Sequence, residues 1–432
     1  MTNIEVKPSK RAVWAWALWG WGEHAYPTII QTFIFATYIV SAAFLLPGQT
    51  KDDLALQLGI AVAIGGFVVA IIAPVIGQRS ERSGRRKFWL LVNSAILIAI
   101  MIVSYWVTPT PSMFVFGLVL YALGFVVQEI ALVNYYAMLK QVSTEKTIAR
   151  LSGYAWGLGY VGGIVMLVIA LVGFYGGHPW IGGTANAENY RWMFLLCGVW
   201  MAIFTIPMMI WMPEVPSEST QKLSIADSYR EVWRQVVSLR KTSPQMLRFL
   251  IASAVYRDGL AGVFTYGAIL GVTVFGLTNP PIAFGIIASI VAGVGAMVGG
   301  FIDDKIGTKR TIVVALIGLI IAGSCVFIFA GFGPITFWVC GLTLSLFVGP
   351  AQASSRTYMA RLAPKGREGE IFGLYQTTGE AGSYIVPALW VVTLTLAKAA
   401  GLPNFSLYGI LAIVVVLAIG LFLLLRVDKK KN

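Results

Sequence analysis

Gly77-Gln78-Arg79-Ser80-Glu81-Arg82-Ser83-Gly84-Arg85-Arg86 returns, 223 positions later, as Gly300-Phe301-Ile302-Asp303-Asp304-Lys305-Ile306-Gly307-Thr308-Lys309. Both copies read G-x-x-x-[DE]-[KR]-x-G-x-[KR], and each sits between two long apolar segments. A glycine-permitted turn that carries several cations suits a tight loop at a membrane surface. The offset is close to half of the 432-residue chain, so the sequence reads as two homologous halves in tandem. Gly77, Glu81, Arg82, Gly84, Arg85 and Arg86, with Gly300, Asp304, Lys305, Gly307 and Lys309, are expected to form a pair of gating loops.

Composition agrees with a membrane setting. The chain is 57% hydrophobic and 12% charged, against roughly 25% charged for a soluble domain. A net charge of +13 would suggest a nucleic-acid partner in a soluble protein, but these cations lie between apolar segments, and no nucleic-acid partner is expected. The three cysteines, Cys197, Cys325 and Cys340, lie inside apolar runs without metal or disulfide spacing, and read as packing residues.

A helix needs about 20 apolar residues to cross roughly 30 Å of hydrocarbon. That ruler predicts an all-α protein with twelve transmembrane helices, at 13–46, 56–77, 87–107, 113–136, 150–173, 191–212, 245–277, 281–302, 310–330, 335–358, 370–397 and 404–426. Of the 32 Lys and Arg, 27 fall in the tails and alternate loops on one side, and only Lys51, Arg191 and Lys398 fall on the other. The positive-inside rule then makes both termini cytoplasmic. The expected organisation is a six-helix bundle over 1–212, a cytoplasmic linker over 213–244, and a second six-helix bundle over 245–432. Within the linker, Ile225, Tyr229, Val232, Trp233 and Val236 recur at helical spacing and predict an amphipathic surface helix.

A second repeat supports the duplication. Gly117, Leu118, Leu120 and Gln128 match Gly341, Leu342, Leu344 and Gln352, each 224 positions on. Secondary transporters are often built from such repeats, with the substrate near the midplane between halves. Gly153/Gly157, Gly159/Gly163 and Gly295/Gly299 have the G-x-x-x-G spacing that lets helix backbones touch. Their concentration in the fifth and eighth spans predicts a rocking contact between the halves.

Ionisable groups in hydrocarbon are costly and usually face a cavity or one another. Glu23 lies ten residues into the first span, about 15 Å deep, in Trp21-Gly22-Glu23-His24-Ala25-Tyr26-Pro27. Pro27 removes a backbone donor and frees carbonyls near Gly22 and Glu23, so a broken helix should present a carboxylate, an imidazole and a phenol at half depth. Asp258 in the seventh span and Glu380 in the eleventh lie at similar depth, with Arg257 as a partner for Glu380. Glu129 and Arg356 lie nearer the cytoplasmic ends of their spans, as a gate pair or as residues snorkelling to the headgroups. Candidate substrate- or proton-binding residues are Glu23, His24, Tyr26, Gln31, Gln128, Tyr256, Arg257, Asp258, Gln352, Tyr375, Gln376 and Glu380.

The twin loops resemble the signature of the major facilitator superfamily. Further stretches resemble the vacuole-effluxer-like transporters, relatives of the autophagy-associated amino-acid exporter of fungal vacuoles. These are Ala25-Tyr26 through Phe33-Ile34-Phe35, Ser152-Gly153 with Gly159-Tyr160 and Gly162-Gly163, Tyr256 with Asp258-Gly259, and Gln352 through Ser355-Arg356, followed by Leu362, Pro364, Glu370, Phe372-Gly373 and Tyr375. The resemblance implies a two-bundle, twelve-helix fold, secondary transport, and amino acids as substrates. The chain departs from the family at Gly20 and Glu23, where Asp and Asn are usual, and at Glu380, where Lys often stands.

The expected function is therefore a secondary active transporter of a small polar solute, an amino acid, with proton coupling. The alternative is a cation-coupled sugar or glycoside symporter that stacks its ligand on the Trp and Tyr of the first and seventh spans. An enzyme is not expected: H-E-x-x-H and G-x-S-x-G are absent, and His24 and His178 are the only histidines. No G-x-x-x-x-G-K-[ST] loop points to ATP. No cofactor or metal is expected, and the partners are a small-molecule substrate, protons and the lipid bilayer, for a monomer in a bacterial cytoplasmic membrane.

Overall fold

The computed structural model describes residues 9–144, 148–176, 179–183, 185–214, 225–278, 280–362, 374–375, 378–379 and 382–427, and every regular element among them is helical. The first apolar segment is not one helix. It forms α1 (Lys10–Glu23), a π-helical stretch (Tyr26–Phe33) and α2 (Phe35–Ile39). Pro27 has no N–H to offer the Glu23 carbonyl one turn back, so the α-ladder cannot run through it. The coil widens instead, and Ile34 N–H donates to the Ile29 carbonyl at 3.0 Å, five residues back.

The chain continues as α3 (Lys51–Ser83), α4 (Arg86–Val103), α5 (Phe114–Ala137), short α6 (Leu139–Val142), α7 (Ile148–Gly173) and α8 (Glu188–Trp211). Then come α9 (Ile225–Thr242), α10 (Pro244–Thr273), α11 (Ile282–Ile306), α12 (Thr308–Ile328), α13 (Pro334–Leu362), α14 (Ile385–Ala399) and α15 (Gly409–Leu425). Eight of these, α3, α4, α5, α8, α11, α12, α13 and α15, contain stretches long and apolar enough to cross a membrane, among the described residues. The other four expected spans fall short of that measure for visible reasons. The first is interrupted at Pro27 and α10 carries Arg248, Arg257 and Asp258, while the apolar runs Gly157–Gly173 of α7 and Ile385–Ala399 of α14 adjoin stretches that include residues outside the described ones. The linker helix forms as α9, although residues 215–224 before it lie outside the described residues, as do the side chains of Ile225, Tyr229, Val232 and Val236. Trp233, grouped with that apolar stripe in the sequence, is 69% exposed, while Leu239 is the buried contact.

The same pairings of helices occur twice. α1 packs on α7 and α8, α3 on α5, and α4 on α5 and α8; correspondingly α10 packs on α14 and α15, α11 on α13, and α12 on α13 and α15. The interior is unusually aromatic. Trp16 stacks on Tyr135 with centroids 4.5 Å apart and donates its indole N–H to the Tyr135 carbonyl at 2.9 Å, and Trp19 donates to Ser94 at 2.9 Å. Stacked pairs of this kind contribute about 0.5–1.5 kcal/mol beyond the area they bury. Outward faces of the same helices carry exposed Val115, Ile210, Ile321 and Phe422, as lipid-facing surfaces do.

The described G-x-x-x-G glycines pack within one set of helices, although the helices that carry them, α7 and α11, also pack on each other between the two sets, where a contact between the halves was expected. An added Cβ at Gly159 or Gly163 of α7 would strike His24 or Thr28 of the first segment, and at Gly295 or Gly299 of α11 it would strike Leu346 or Pro350 of α13. Gly157 faces open space, and the packing around Gly153 lies outside the described residues.

The repeated stretch is also less loop-like than expected. Gly77 to Ser83 continue α3, and Gly300 to Ile306 continue α11, so the turn is confined to Gly84 and Arg85 in one copy and Gly307 in the other. The second glycine of each copy stops the helix: Gly84 has φ +64° and Gly307 has φ +88°, regions that a Cβ disfavours. The last cation of each copy then caps a neighbouring helix. Arg86 donates to the Ala137 carbonyl at the end of α5 (3.2 Å), and Lys309 to the Leu425 carbonyl at the end of α15 (3.2 Å) and to the Val427 carbonyl. Cations are favoured at helix C-termini. Arg85 and Lys305 are exposed, and the side chains of Glu81, Arg82 and Asp304 lie outside the described residues. Gly84→Ala and Gly307→Ala are each expected to cost about 1–2 kcal/mol and to lower Tm in detergent by about 1–3 °C. Gly300→Ala, whose Cβ would meet nothing within 4 Å, leaves Tm unchanged or raised. Equal losses at all three positions would show that turn geometry is not what these glycines supply.

Candidate functional site

A cavity of about 260 Å³ lies where the two sets of helices meet. At about 30 Å³ per water it has room for roughly eight waters. Its wall is built from the end of α1 and the π-helical stretch, from α5 and α7, and from α10, α11, α13 and the segment before α14.

Glu23 is the last residue of α1, and its side chain is 2% exposed. Both carboxylate oxygens have partners: Gln128 of α5 donates its amide to Oε1, and His24 Nδ1 lies 3.2 Å from Oε2. Gln128 in turn accepts from the Gln31 amide at 2.7 Å, and Tyr121 donates its hydroxyl to the Gln31 carbonyl at 2.9 Å. A chain of donors thus runs from the π-helical stretch through α5 and ends on a carboxylate. His24 Nδ1 is also 2.9 Å from the Gly20 carbonyl. Both neighbours of Nδ1 are acceptors, so Nδ1 is a nitrogen that carries a proton. The bare backbone of Gly159 makes the slot in which that ring lies.

Across the cavity, α10 presents Arg257 and Asp258. Asp258 is 4% exposed, and its Oδ2 accepts from Val386 N–H at 2.6 Å, in the first turn of α14. A helix N-terminus favours a carboxylate there. The Arg257 guanidinium lies 4.3 Å over the Tyr375 ring and donates to the Tyr375 carbonyl at 2.8 Å. An added Cβ at Gly379 would fall on that guanidinium, so the glycine leaves its space.

Of the candidates from sequence, Glu23, His24, Gln31, Gln128, Arg257, Asp258 and Gln352 come together on the cavity wall. Gln128 and Gln352, matched by the internal repeat, face it from α5 and α13. Tyr26, Tyr256 and Tyr375 do not line it. Tyr26 and Tyr256 are fully buried, with hydroxyls 3.4 Å from the Tyr121 carbonyl and 2.7 Å from Ser355 Oγ, and Tyr375 is the platform under Arg257. Gln376 and Glu380 lie outside the described residues, and with them the Arg257–Glu380 pairing, as do Pro364, Glu370 and Phe372-Gly373.

Snorkelling is corrected for Arg356, which is 6% exposed and lines the cavity with Glu129. The sequence reading missed Thr28, Thr32, Phe264, Thr265, Ser289 and Ser383, which supply small hydroxyls and an aromatic wall. A lone hydroxyl or phenylalanine inside an apolar run carries no sequence signal of that role.

With this geometry in hand, the comparisons with known proteins are informative. The family model described as "Vacuole effluxer Atg22 like" matches residues 58–432. An uncharacterized MFS-type transporter of Bacillus subtilis (strain 168), YxiO, is 24% identical over 408 residues, covering 93% of this chain and 93% of its own. Autophagy-related protein 22-1 of Neosartorya fischeri is 26% identical over 319 residues, covering 67% of this chain and 50% of its own, so the chain spans about half the length of that fungal relative. Among solved structures, the xylose transporter XylE from E. coli in a partially occluded inward open conformation matches with TM-score 0.67 and 16% identity, over 97% of this chain and 99% of that one. The nucleoside transporter NupG matches with TM-score 0.65 and 13% identity, over 97% and 100%. Likeness at such identities speaks for the fold alone. The family model spans well over half of the sequence, and the protein belongs to the vacuole effluxer Atg22-like family of MFS-type membrane transporters.

Proposed function

We propose that the protein is a secondary active transporter that moves amino acids by alternating access, with proton coupling, in a bacterial cytoplasmic membrane. In this reading it has twelve spans in two six-helix bundles, 1–212 and 245–432, joined by the 213–244 linker, with both termini cytoplasmic and the turns at Gly84 and Gly307 acting in the switch. The observation that carries the substrate class is the polarity of the cavity. Glu23 and Glu129 come from α1 and α5, and Arg257 and Arg356 from α10 and α13. Carboxylates on one wall suit an ammonium, and guanidiniums on the other suit a carboxylate by planar, paired hydrogen bonds. An α-amino acid carries both groups; a sugar carries neither. Glu23 and His24 form the preferred coupling pair, a carboxylate and an imidazole in contact on the cavity wall, while Asp258 on the opposite wall accepts from the N-terminus of α14.

Uptake into proteoliposomes, with an amino-acid panel and with pentoses and hexoses, each with and without a pH gradient, tests the reading. Amino-acid uptake that rises with the gradient is expected; sugar uptake without amino-acid uptake would overturn it. Glu23→Gln and Arg257→Gln should each reduce uptake at subsaturating substrate roughly ten- to hundredfold, the value of a hydrogen bond to a charged group. Size-exclusion profiles should stay those of the unaltered protein. Substrate analogues give an independent check. Blocking the amine as an amide, or the carboxylate as an ester, should abolish competition for uptake, and full competition by either analogue would remove one pole from the proposed site.

A further inference from the structure

The cavity chemistry leaves unused a seam between α3 and α14 that runs from the cavity wall to the end of the molecule opposite the Gly84 and Gly307 turns. Ser383 lines the cavity, and the next residue, Tyr384, lies on Gly66 of α3. Further out Trp390 sits on Gly59, and beyond that Lys398 Nζ meets Asp53 Oδ1 at 2.5 Å. Gly59 and Gly66 are two helical turns apart on one side of α3, and the Trp390 ring of α14 and the Cα and Cβ of Tyr384 just before it lie against them.

Both helices hold the ionic contact in position. Asp53 Oδ2 accepts from Thr50 N–H and Thr50 Oγ1, each at 2.8 Å, and Asp53 N–H donates back to Thr50 Oγ1 at 3.3 Å. This reciprocal cap occupies one carboxylate oxygen and leaves the other to cross to α14. Lys398 stands in the last turn of α14 and Asp53 in the first turn of α3, the helix ends that favour each charge. Beside Asp53, Asp52 is 9% exposed, and this end of α3 also packs on the short 3-10 helix Phe405–Tyr408 that leads into α15. The start of α3 therefore meets two separate elements of the second set of helices.

From this geometry we infer that the Asp53–Lys398 pair is an electrostatic latch that holds the far ends of the two helix sets together and biases the protein toward the state in which the cavity faces the Gly84 and Gly307 side. The inference rests on alternating access. Opening the cavity the other way must part α3 from α14, which separates the pair and uncovers Gly59 and Gly66. The side chains are 52% and 14% exposed, so water screens the attraction, and its bias is a few-fold. A contact that breaks on every cycle has to be shallow.

The test measures distances between spin labels at exposed Leu46, before α3, and exposed Leu402, after α14, in the full-length protein. Asp53→Asn and Lys398→Gln should each raise the long-distance population about two- to fivefold. The charge-swapped pair, Asp53→Lys with Lys398→Asp, should return it toward the unaltered ratio. The unaltered protein, compared at low salt and at about 1 M salt, where the screening length is about 3 Å, should shift in the same direction and needs no substitution in the latch. Two populations whose ratio ignores salt and both single substitutions would overturn the latch alone. A single distance throughout a working transport cycle would overturn alternating access and the latch with it.

Discussion

The rest of the structure depends on a carboxylate buried at the break in an apolar segment, where α1 ends. Glu23 is 2% exposed, and an isolated charge in such a place costs several kcal/mol or more. Here the cost is offset locally: Gln128 donates to one oxygen and His24 faces the other. Each of those groups is fixed by something else. Gln128 is oriented by Gln31, the His24 ring by the Gly20 carbonyl and the slot at Gly159, and the end of α1 by Pro27. Spans that would otherwise share only apolar contacts are thereby tied in register, and the charge remains beside a cavity rather than sealed in packing.

The two sets of helices solve related problems by different chemistry. In the first, a buried acid is satisfied by side chains. In the second, Asp258 is satisfied by the backbone N–H of Val386 at a helix start, and Arg257 by an aromatic face and a carbonyl. The turns repeat with closer symmetry. Gly84 and Gly307 both have positive φ, and Arg86 and Lys309 both cap the C-terminus of a helix outside their own hairpin. A turn constrains backbone angles and end charges in the same way wherever it occurs, whereas cavity residues answer to their ligand. Duplication is therefore preserved at the turns and at Gln128 and Gln352, and eroded between Glu23 and Asp258.

These differences explain what could be read from the chain. Apolar run length and cation placement are local properties, so the helices and the membrane class were legible, and Pro27 announced its break because its effect lies within one turn. Counting residues along the spans grouped Glu23, His24, Arg257 and Asp258, which do line one cavity. The partners of the G-x-x-x-G glycines did not follow, since the same bare strip suits a neighbour in either half. Tyr26, Tyr256 and Tyr375 were polar and close in sequence to Glu23, Asp258 or Glu380, yet each faces packing, a direction that depends on helix rotation. The seam between α3 and α14 was least legible. Asp53 and Lys398 are 345 positions apart, and each alone looks like an ordinary charge at a helix end.

The position of Asp258 bears on how the cavity works. A carboxylate that accepts from the first turn of α14 while lining the cavity links its own environment to the placement of that helix. The same helix carries Trp390 and Lys398 against α3 and, just before it, Ser383 on the cavity wall. Tyr266 of α10, two turns beyond Asp258, stacks on Trp390 with centroids 4.1 Å apart and planes within 11°, so α10 and α14 are joined at two levels. A solute that altered the hydrogen bonding of Asp258 would act on the start of a rigid rod whose far end closes against the other set of helices. Coupling through one stiff helix requires no chain of intermediate side chains, only that its two ends have different partners in the two states.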